Sequence, residues 1–523
     1  MAEAGQGENG LKAVEWRPVV NPWWIAASVM ISTFMVVLDS SVANVSLPHI
    51  AGNLSASTDE STWVLTSYLV ANAIMLPASG WLARRMGRKR LLMSSILLFT
   101  FASVLCGVSL NLPMLILARI LQGIGGGGMQ PLAQSILLES FPPRQHGVAM
   151  AVYGLGVVVA PVIGPTLGGW ITDSYSWRWI FYINIPFGAL ALFMVRSFIE
   201  DPPYLRHRVK QSIDGLGFGL MALWLGSLQL ILDKGQEADW FESSWICATA
   251  VLSVAALIGF VFWELTTKEP IVHLRILKER NFGLGVIVTG LYGFTLYGIT
   301  ALLPLFLQTL MGYPALDSGL AVSPRGVGSI LSMAVVGWLS SKVDARLLLA
   351  TGFGIQVFST LMLSQINLGI GMGSVVIPNL INGFAGGFVF VPLTTLAMSR
   401  LERQQIGNAA GIYNLMRNIG GSIGIATVST MLVRGAQRHQ NDLAAHNTVV
   451  DAVTQQVAAG LTGKFAMGGA GQANAGHLAL GSIYRSMQQQ ASLLAYADNF
   501  RLMALLTVLC IPLVALFGRA QKR

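Results

Sequence analysis

The chain has 523 residues, of which 53% are apolar and only 11% charged, where a soluble domain carries about 25% charged residues. That balance excludes an ordinary soluble domain. The net charge of +9 does not point to nucleic acid either, because Lys and Arg sit in short clusters between long apolar runs, which is the pattern of membrane orientation.

Residues 1 to 20 are polar and lack the basic start and small-residue cleavage site of a signal peptide. The first apolar run is therefore expected to persist as a membrane span. Apolar segments follow at 23–48, 61–83, 91–110, 113–138, 146–171, 178–198, 212–232, 243–265, 282–309, 316–338, 346–366, 372–398, 407–433 and 498–517. Each holds about 20 residues or more, enough to cross a hydrocarbon core of about 30 Å. Cys106, Cys247 and Cys510 all lie within these segments, so no disulfide is expected.

Alternate connections carry the basic residues. One side receives Lys12 and Arg17, the RRMGRKR loop at 84–90, Arg144, Arg206, Arg208 and Lys210. It also receives Lys268, Arg275, Lys278, Arg280, Lys342, Arg346, Arg400, Arg403 and the terminal Arg519, Lys522 and Arg523. The short connections opposite hold little beyond Lys234, with Arg178 at a helix start. Both termini are thus expected in the cytoplasm, and the polar stretch 434–497 outside.

The chain also repeats itself. "GVAMAVYGLGVVVAPVIG" (147–164) matches "GNAAGIYNLMRNIGGSIG" (407–424) at an offset of 260, sharing Gly, Ala, Tyr, Leu, Ile and Gly. "GWLARRMGRKRLL" (80–92) resembles "GWLSSKVDARLLL" (337–349), and "QGIGG" (122–126) meets "NGFAGG" (382–387). The expected organisation is an N-terminal tail (1–22), a six-helix bundle (23–199), a linker region with two inserted helices (200–281), a second six-helix bundle (282–518) and a short C-terminus (519–523). Two related bundles around a midplane site form a transporter architecture.

Several intramembrane residues carry chemistry. Asp39 lies roughly 24 Å along the first helix and Arg119 about 9 Å below the outer boundary in the fourth, so the two sit at similar depth. Desolvation favours a protonated carboxyl and a nearby cation favours the charged one, a balance that a proton carrier needs. The competing reading is a constant ion pair that only joins two helices. Arg417, where the first repeat has Val157, and Arg325, about 13 Å inside its helix, are candidates to hold an anionic group on a substrate. Each is equally able to donate to carbonyls of broken helix backbone, and Asn414 and Asn418 flanking Arg417 offer it acceptors. "GIGGGG" (123–128) is not a phosphate loop, since no Gly-Lys-Ser/Thr follows and no strand precedes it. The histidines show no metal-ligand spacing and no nucleophile–base constellation appears, so neither an enzyme nor a cofactor is expected.

Four motifs together resemble a known family. "GWLARRMGRKR" is similar to the cytoplasmic loop signature of the major facilitator superfamily and "RILQG" (119–123) to its fourth-helix motif. "APVIGPTLGG" (160–169) is similar to its antiporter motif, and "LDSSVANVSLP" (38–48) to the first-helix motif of the fourteen-helix drug:H⁺ antiporters, with EmrB-type exporters nearest. The resemblance implies an all-α integral membrane fold of two pseudo-symmetric six-helix bundles plus two inserted helices, fourteen transmembrane helices in all. It implies that Asp39 binds the proton and Arg119 modulates it. It also implies that Gly80, Arg84, Arg85, Gly87 and Arg88 belong to a gating loop, and that Pro161, Gly164, Pro165, Gly168 and Gly169 form a hinge and seal. The family commonly has an acid where Arg84 stands; Arg84 is expected to find Glu139 or Glu402 instead. The cavity in this fold lies between helices 1, 4, 9 and 12, which makes Asn44, Gln130, Gln134, Tyr292, Tyr297, Gln308 and Thr395 candidates for substrate contact. The activity implied is proton-coupled export of lipophilic drugs across a bacterial inner membrane, with a periplasmic adaptor and outer-membrane channel of EmrA/TolC type as partners. The stretch 434–497 is a docking surface for such an adaptor or an uninvolved linker. A dedicated exporter of a fatty acid, siderophore or phenolic compound is the alternative, and a non-transporting sensor a third reading.

Overall fold

In lipid every backbone N–H and C=O of a spanning segment must be bonded within the protein, so apolar runs of this length become helices. The computed structural model describes residues 18–202, 214–446, 452–469 and 471–518. Among them fourteen helices are long and apolar enough to cross a bilayer. They are α1 (Pro22–Val45), α2 (Glu60–Met86), α3 (Arg88–Gly107), α4 (Leu112–Ser140), α5 (Pro143–Ser174), α6 (Trp179–Phe198), α7 (Gly215–Lys234) and α8 (Ser244–Thr266), then α9 (Arg280–Leu310), α10 (Asp317–Leu339), α11 (Ala345–Leu363), α12 (Gly373–Met398), α13 (Ile406–Ala445) and α14 (Asn474–Ala515). Residues 1–17 of the expected tail, 203–213 of the linker, 447–451 and 470 of the long polar stretch, and 519–523 lie outside the described residues.

Local signals set the ends. Asn21 caps α1 from its side chain with Pro22 in the first turn. Ser57 and Glu60 form a reciprocal capping box before α2. Asn111, Asp214, Glu279 and Asp344 cap α4, α7, α9 and α11 through their side chains alone. Some helices are interrupted. The two halves of α4 part at Gly128, α10 is broken at Ser323 ahead of Pro324, and α9 ends in a π-helical turn at Phe306–Leu310.

The repeat is visible in the packing. α1 packs on α5 as α9 does on α13, α2 on α4 as α10 does on α12, and α3 on α4 as α11 does on α12. The bundles meet along α5–α10 and α2–α13, with α4–α13 and α5–α12 between them. α7 and α8 lie at the rim: 22% of the apolar window of α8 is buried, against 61% in α1. Exposed Trp23, Trp24 and Trp338 ring the end carrying the basic loops, and Trp170, Tyr175 and Trp179 ring the other, as aromatic belts do at the two faces of a bilayer.

The polar stretch 434–497 is largely helical over its described residues. The α13 helix continues without a break as Ile406–His446, a separate helix spans Ala452–Met467, and the α14 helix begins at Gln472. The α13 and α14 rods are tied together there by His439 to Asp498 at 2.8 Å and Gln440 to Tyr484 at 3.1 Å.

Candidate functional site

Asp39 and Arg119 are brought into direct contact inside the first bundle. Asp39 is 2% exposed and Arg119 fully buried. Arg119 Nη1 donates to Asp39 Oδ2 at 2.6 Å, while Gln122 Nε2 and Asn184 Nδ2 donate to Oδ1 at 2.8 and 2.7 Å. Arg119 also donates through Nε to the Val64 carbonyl at 3.1 Å, and its guanidinium lies 4.2 Å from the Tyr68 ring centroid. Helices α1, α2, α4 and α6 thus converge on one charge-balanced cluster. Gln122 and Asn184 were not among the sequence candidates. Gln122 had a signal, being three residues from Arg119 and so on the same helical face; Asn184 is a lone amide within the apolar run "FYINIPF".

A second polar group lies on the seam between the bundles. Arg417 Nη2 donates to Gln130 Oε1 at 2.8 Å, and Asn414 Nδ2 to Gln134 Oε1 at 2.7 Å. Four candidates from α4 and α13 therefore meet across the interface. Beside them Tyr153 of α5 stacks on Phe390 of α12 at 6.1 Å, and Met333 of α10 fills the space at Gly154. Tyr292 is buried in α9, Tyr297 packs on Gly421 of its own bundle, and Thr395 spends its hydroxyl on the Val391 carbonyl of its own helix. Arg325 donates to Thr300 at 2.5 Å. Asn44 is exposed in the last turn of α1, and Gln308 is exposed in the π-helical turn, donating to Ser318 at 3.3 Å. Among the described residues no hydrogen bond joins either of these two to the seam.

At the basic end the loop lock differs from expectation. Glu139 is taken by Arg88, whose Nη2 donates to it at 2.6 Å with both side chains buried, and not by Arg84. Gly87, with φ of 85°, turns the chain between α2 and α3. Arg88 therefore opens α3 facing the end of α4, while Arg84 remains on α2. Arg84 Nε and Nη2 have no hydrogen-bond partner among the described residues, and no ion pair joins Arg84 to Glu402 there. Arg85 lies over Trp81 at 5.8 Å. Asp201, not singled out in the sequence, accepts the Lys89 backbone N–H at 2.9 Å. The bundles close tightly on this side. A Cβ at Gly80 would fall 2.8 Å from the Asn408 Cα, and one at Gly411 3.0 Å from the Leu76 carbonyl oxygen.

Helix α5 passes Pro161 and Pro165 without breaking. Its Gly164 and Gly168 face Ser41 and Val42 of α1, its Gly147 and Gly154 face Ser340 and Met333 of α10, and Gly169 has open space around it. The helix is wedged between one element of its own bundle and one of the other. The glycines of "GIGGGG" let α4 touch its neighbours: a Cβ at Gly123 would meet the Tyr68 carbonyl at 2.5 Å and one at Gly125 the Phe99 nitrogen at 2.7 Å.

Known proteins share this arrangement. The sequence model of the Major Facilitator Superfamily matches residues 29–425. The fatty acid resistance protein FarB of Neisseria gonorrhoeae is 37% identical over 496 residues, covering 94% of this chain and 95% of that relative. The multidrug export protein EmrB of Escherichia coli (strain K12) is 39% identical over 417 residues, 80% of this chain and 81% of its own. Among solved structures, the human organic anion transporter MFSD10 (TETRAN) superposes with a TM-score of 0.59 at 14% identity, covering 93% of this chain and 99% of that one. By its matched sequence, its fourteen spans and its paired bundles, the chain belongs to the major facilitator superfamily and to the EmrB-type branch within it.

Proposed function

We propose that the chain exports lipophilic drugs and toxic small molecules across the bacterial inner membrane in exchange for protons, by alternating access. The observation that carries this reading is the Asp39 cluster, a carboxylate inside the first bundle held by Arg119, Gln122 and Asn184. A proton arriving on Asp39 removes the charge that holds Arg119, so the contact between α1 and α4 is weakest when substrate has left. Substrate bound from the cytoplasm or inner leaflet then drives the proton inward. The loops rich in Lys and Arg, with both termini, face the cytoplasm in this scheme.

The energetics are sufficient with one carboxylate. A charge crossing 100 mV contributes about 2.3 kcal/mol and one pH unit about 1.36 kcal/mol. The sum, about 3.7 kcal/mol, supports a concentration ratio of several hundred for a neutral substrate. The rods beyond the bilayer give a periplasmic adaptor of EmrA type a surface to grip, with an outer-membrane channel beyond it. The 37% identity to FarB over nearly the whole chain favours a second reading, a dedicated exporter of one metabolite class such as fatty acids.

The test is drug-induced proton movement in inverted vesicles, comparing wild type with Asp39→Asn at equal expression. The variant is expected to bind drug yet move neither protons nor drug uphill. Uphill transport at the normal rate by Asp39→Asn overturns the assignment.

A further inference from the structure

Among the described residues three arginines are at least nine-tenths buried, and they are not alike. Arg88 is 4% exposed and paired with Glu139; Arg119 is fully buried and paired with Asp39. Arg417 is 5% exposed, and among the described residues no carboxylate lies within ion-pair distance of it. Its one hydrogen-bond acceptor is the neutral amide oxygen of Gln130, and its Nε has no partner there. A buried cation without a counter-charge is costly. Such an intramembrane residue marks a candidate substrate or ion site.

The repeat indicates what else the visitor touches. At the offset of 260, Gln130 and Gln134 correspond to Phe390 and Thr394, and Asn414 and Arg417 to Gly154 and Val157. The two arms of the seam are equivalent in backbone and opposite in chemistry. One carries Gln130, Gln134, Asn414 and Arg417; the other carries Phe390, stacked on Tyr153, and Met333 over Gly154. Phe390 lies 6.0 Å from the Arg417 guanidinium carbon, so the arms adjoin. A charged pole beside an aromatic and thioether surface matches a molecule with an acidic head and an apolar body.

We propose that Arg417 is the binding group for the head of a lipophilic organic monoanion, above all a carboxylate, whose apolar body lies against Phe390, Tyr153 and Met333. The Gln130 amide oxygen occupies the acceptor position in the closed seam, and the substrate carboxylate replaces it when α4 and α13 part. This rests on the exporter reading and specifies its substrate class. One consequence is electrical. Exchange of a monoanion for one proton carries two charges inward per cycle, where a neutral substrate carries one.

The experiment measures equilibrium binding of decanoate, decanamide and decylamine to the purified full-length protein in nanodiscs, without a gradient. Wild type is expected to prefer decanoate over decanamide by about tenfold or more, the effect of a charge-assisted bond in a dry site. Arg417→Gln is expected to lose that preference while keeping its affinity for decanamide, and Arg417→Lys to retain part of it. No preference in wild type overturns the proposal whatever the variants do. So does decanoate binding by Arg417→Gln at the wild-type level, or by Arg417→Lys should the Gln variant fail to fold. Proton-coupled export of neutral drug without carboxylate preference strikes this proposal alone. Carboxylate preference without proton-coupled export strikes the exporter reading alone.

Discussion

Asp39 is defined less by its own burial than by the donors around it. Three side chains from two helices aim hydrogen bonds at its two oxygens, so the cluster is rigid as long as the carboxylate is charged. Replacing Asn184 with Leu removes one donor and leaves Asp39 Oδ1 with Gln122 alone. The expected cost is about 1–3 kcal/mol, read as a lower thermal midpoint of the purified protein. The loss should shrink in the Asn184→Leu, Asp39→Asn double variant, because the neutral amide needs the donor less. An unchanged midpoint in the single variant removes Asn184 from the cluster. At this scale the sequence was legible where depth along a helix was enough, as for Asp39 and Arg119. It was not legible where a partner arrives from a distant helix, as Asn184 does, or where a turn decides reach. Glu139 was expected to receive Arg84, but the positive-φ turn at Gly87 puts Arg88 there instead.

Helices α2 and α13 show how contact without side chains controls an element. At the basic end Gly80 lets the backbones of α2 and α13 touch, and Asn408 also accepts the His273 N–H at 3.3 Å from the connection that leads into the second bundle. Gly80→Ala places a methyl group against backbone that cannot yield, so the two helices are expected to part there. The check is maleimide labelling of a cysteine at Ser340, which closes against Gly147 on the other seam. Labelling from the basic side is expected to rise severalfold in Gly80→Ala; unchanged labelling means this contact does not set closure. The repeats "GWLARRMG" and "GWLSSKVD" put Gly80 and Gly337 at equivalent positions, and the structure places one on each seam. The stretch after 434 stays helical past the point where its hydropathy falls, because hydropathy marks where a segment leaves lipid and not where a helix ends. Ala, Gln, Leu and Arg in "RGAQRHQNDLAAH" are mostly good helix formers, and no proline interrupts them.

Across the whole molecule, the two inserted helices have a place that composition did not reveal. α2 and α13 touch directly at the basic end, but toward the other end α7 enters between them. Lys234 donates to Thr62 at 2.6 Å and Asp233 accepts from Thr66, both on α2. Ser422 donates to Gln229 at 2.9 Å and Trp240 to Thr430 at 3.0 Å, bonds that reach α13. The insert is thus bonded to both bundles from the rim, so rocking of one bundle against the other must break bonds on one side of it. A disulfide between Gln229→Cys and Ser422→Cys is expected to reduce exchange by about tenfold or more, the scale on which losing one required state acts, with recovery on reduction. Full activity in the oxidised protein means α7 travels with the second bundle.

The rods that continue α13 and α14 past the membrane have a mechanical consequence. A helix of 41 residues is about 60 Å long, roughly twice the bilayer core. It is braced beyond the bilayer by the α14 helix, through His439 and Asp498. The second bundle therefore carries a stiff mast, and a tilt of about 10° at the bilayer centre swings a tip about 45 Å away through about 8 Å. The mast works as a lever arm, turning small rotations within the lipid into displacements large enough for a protein standing beside it to sense or to oppose.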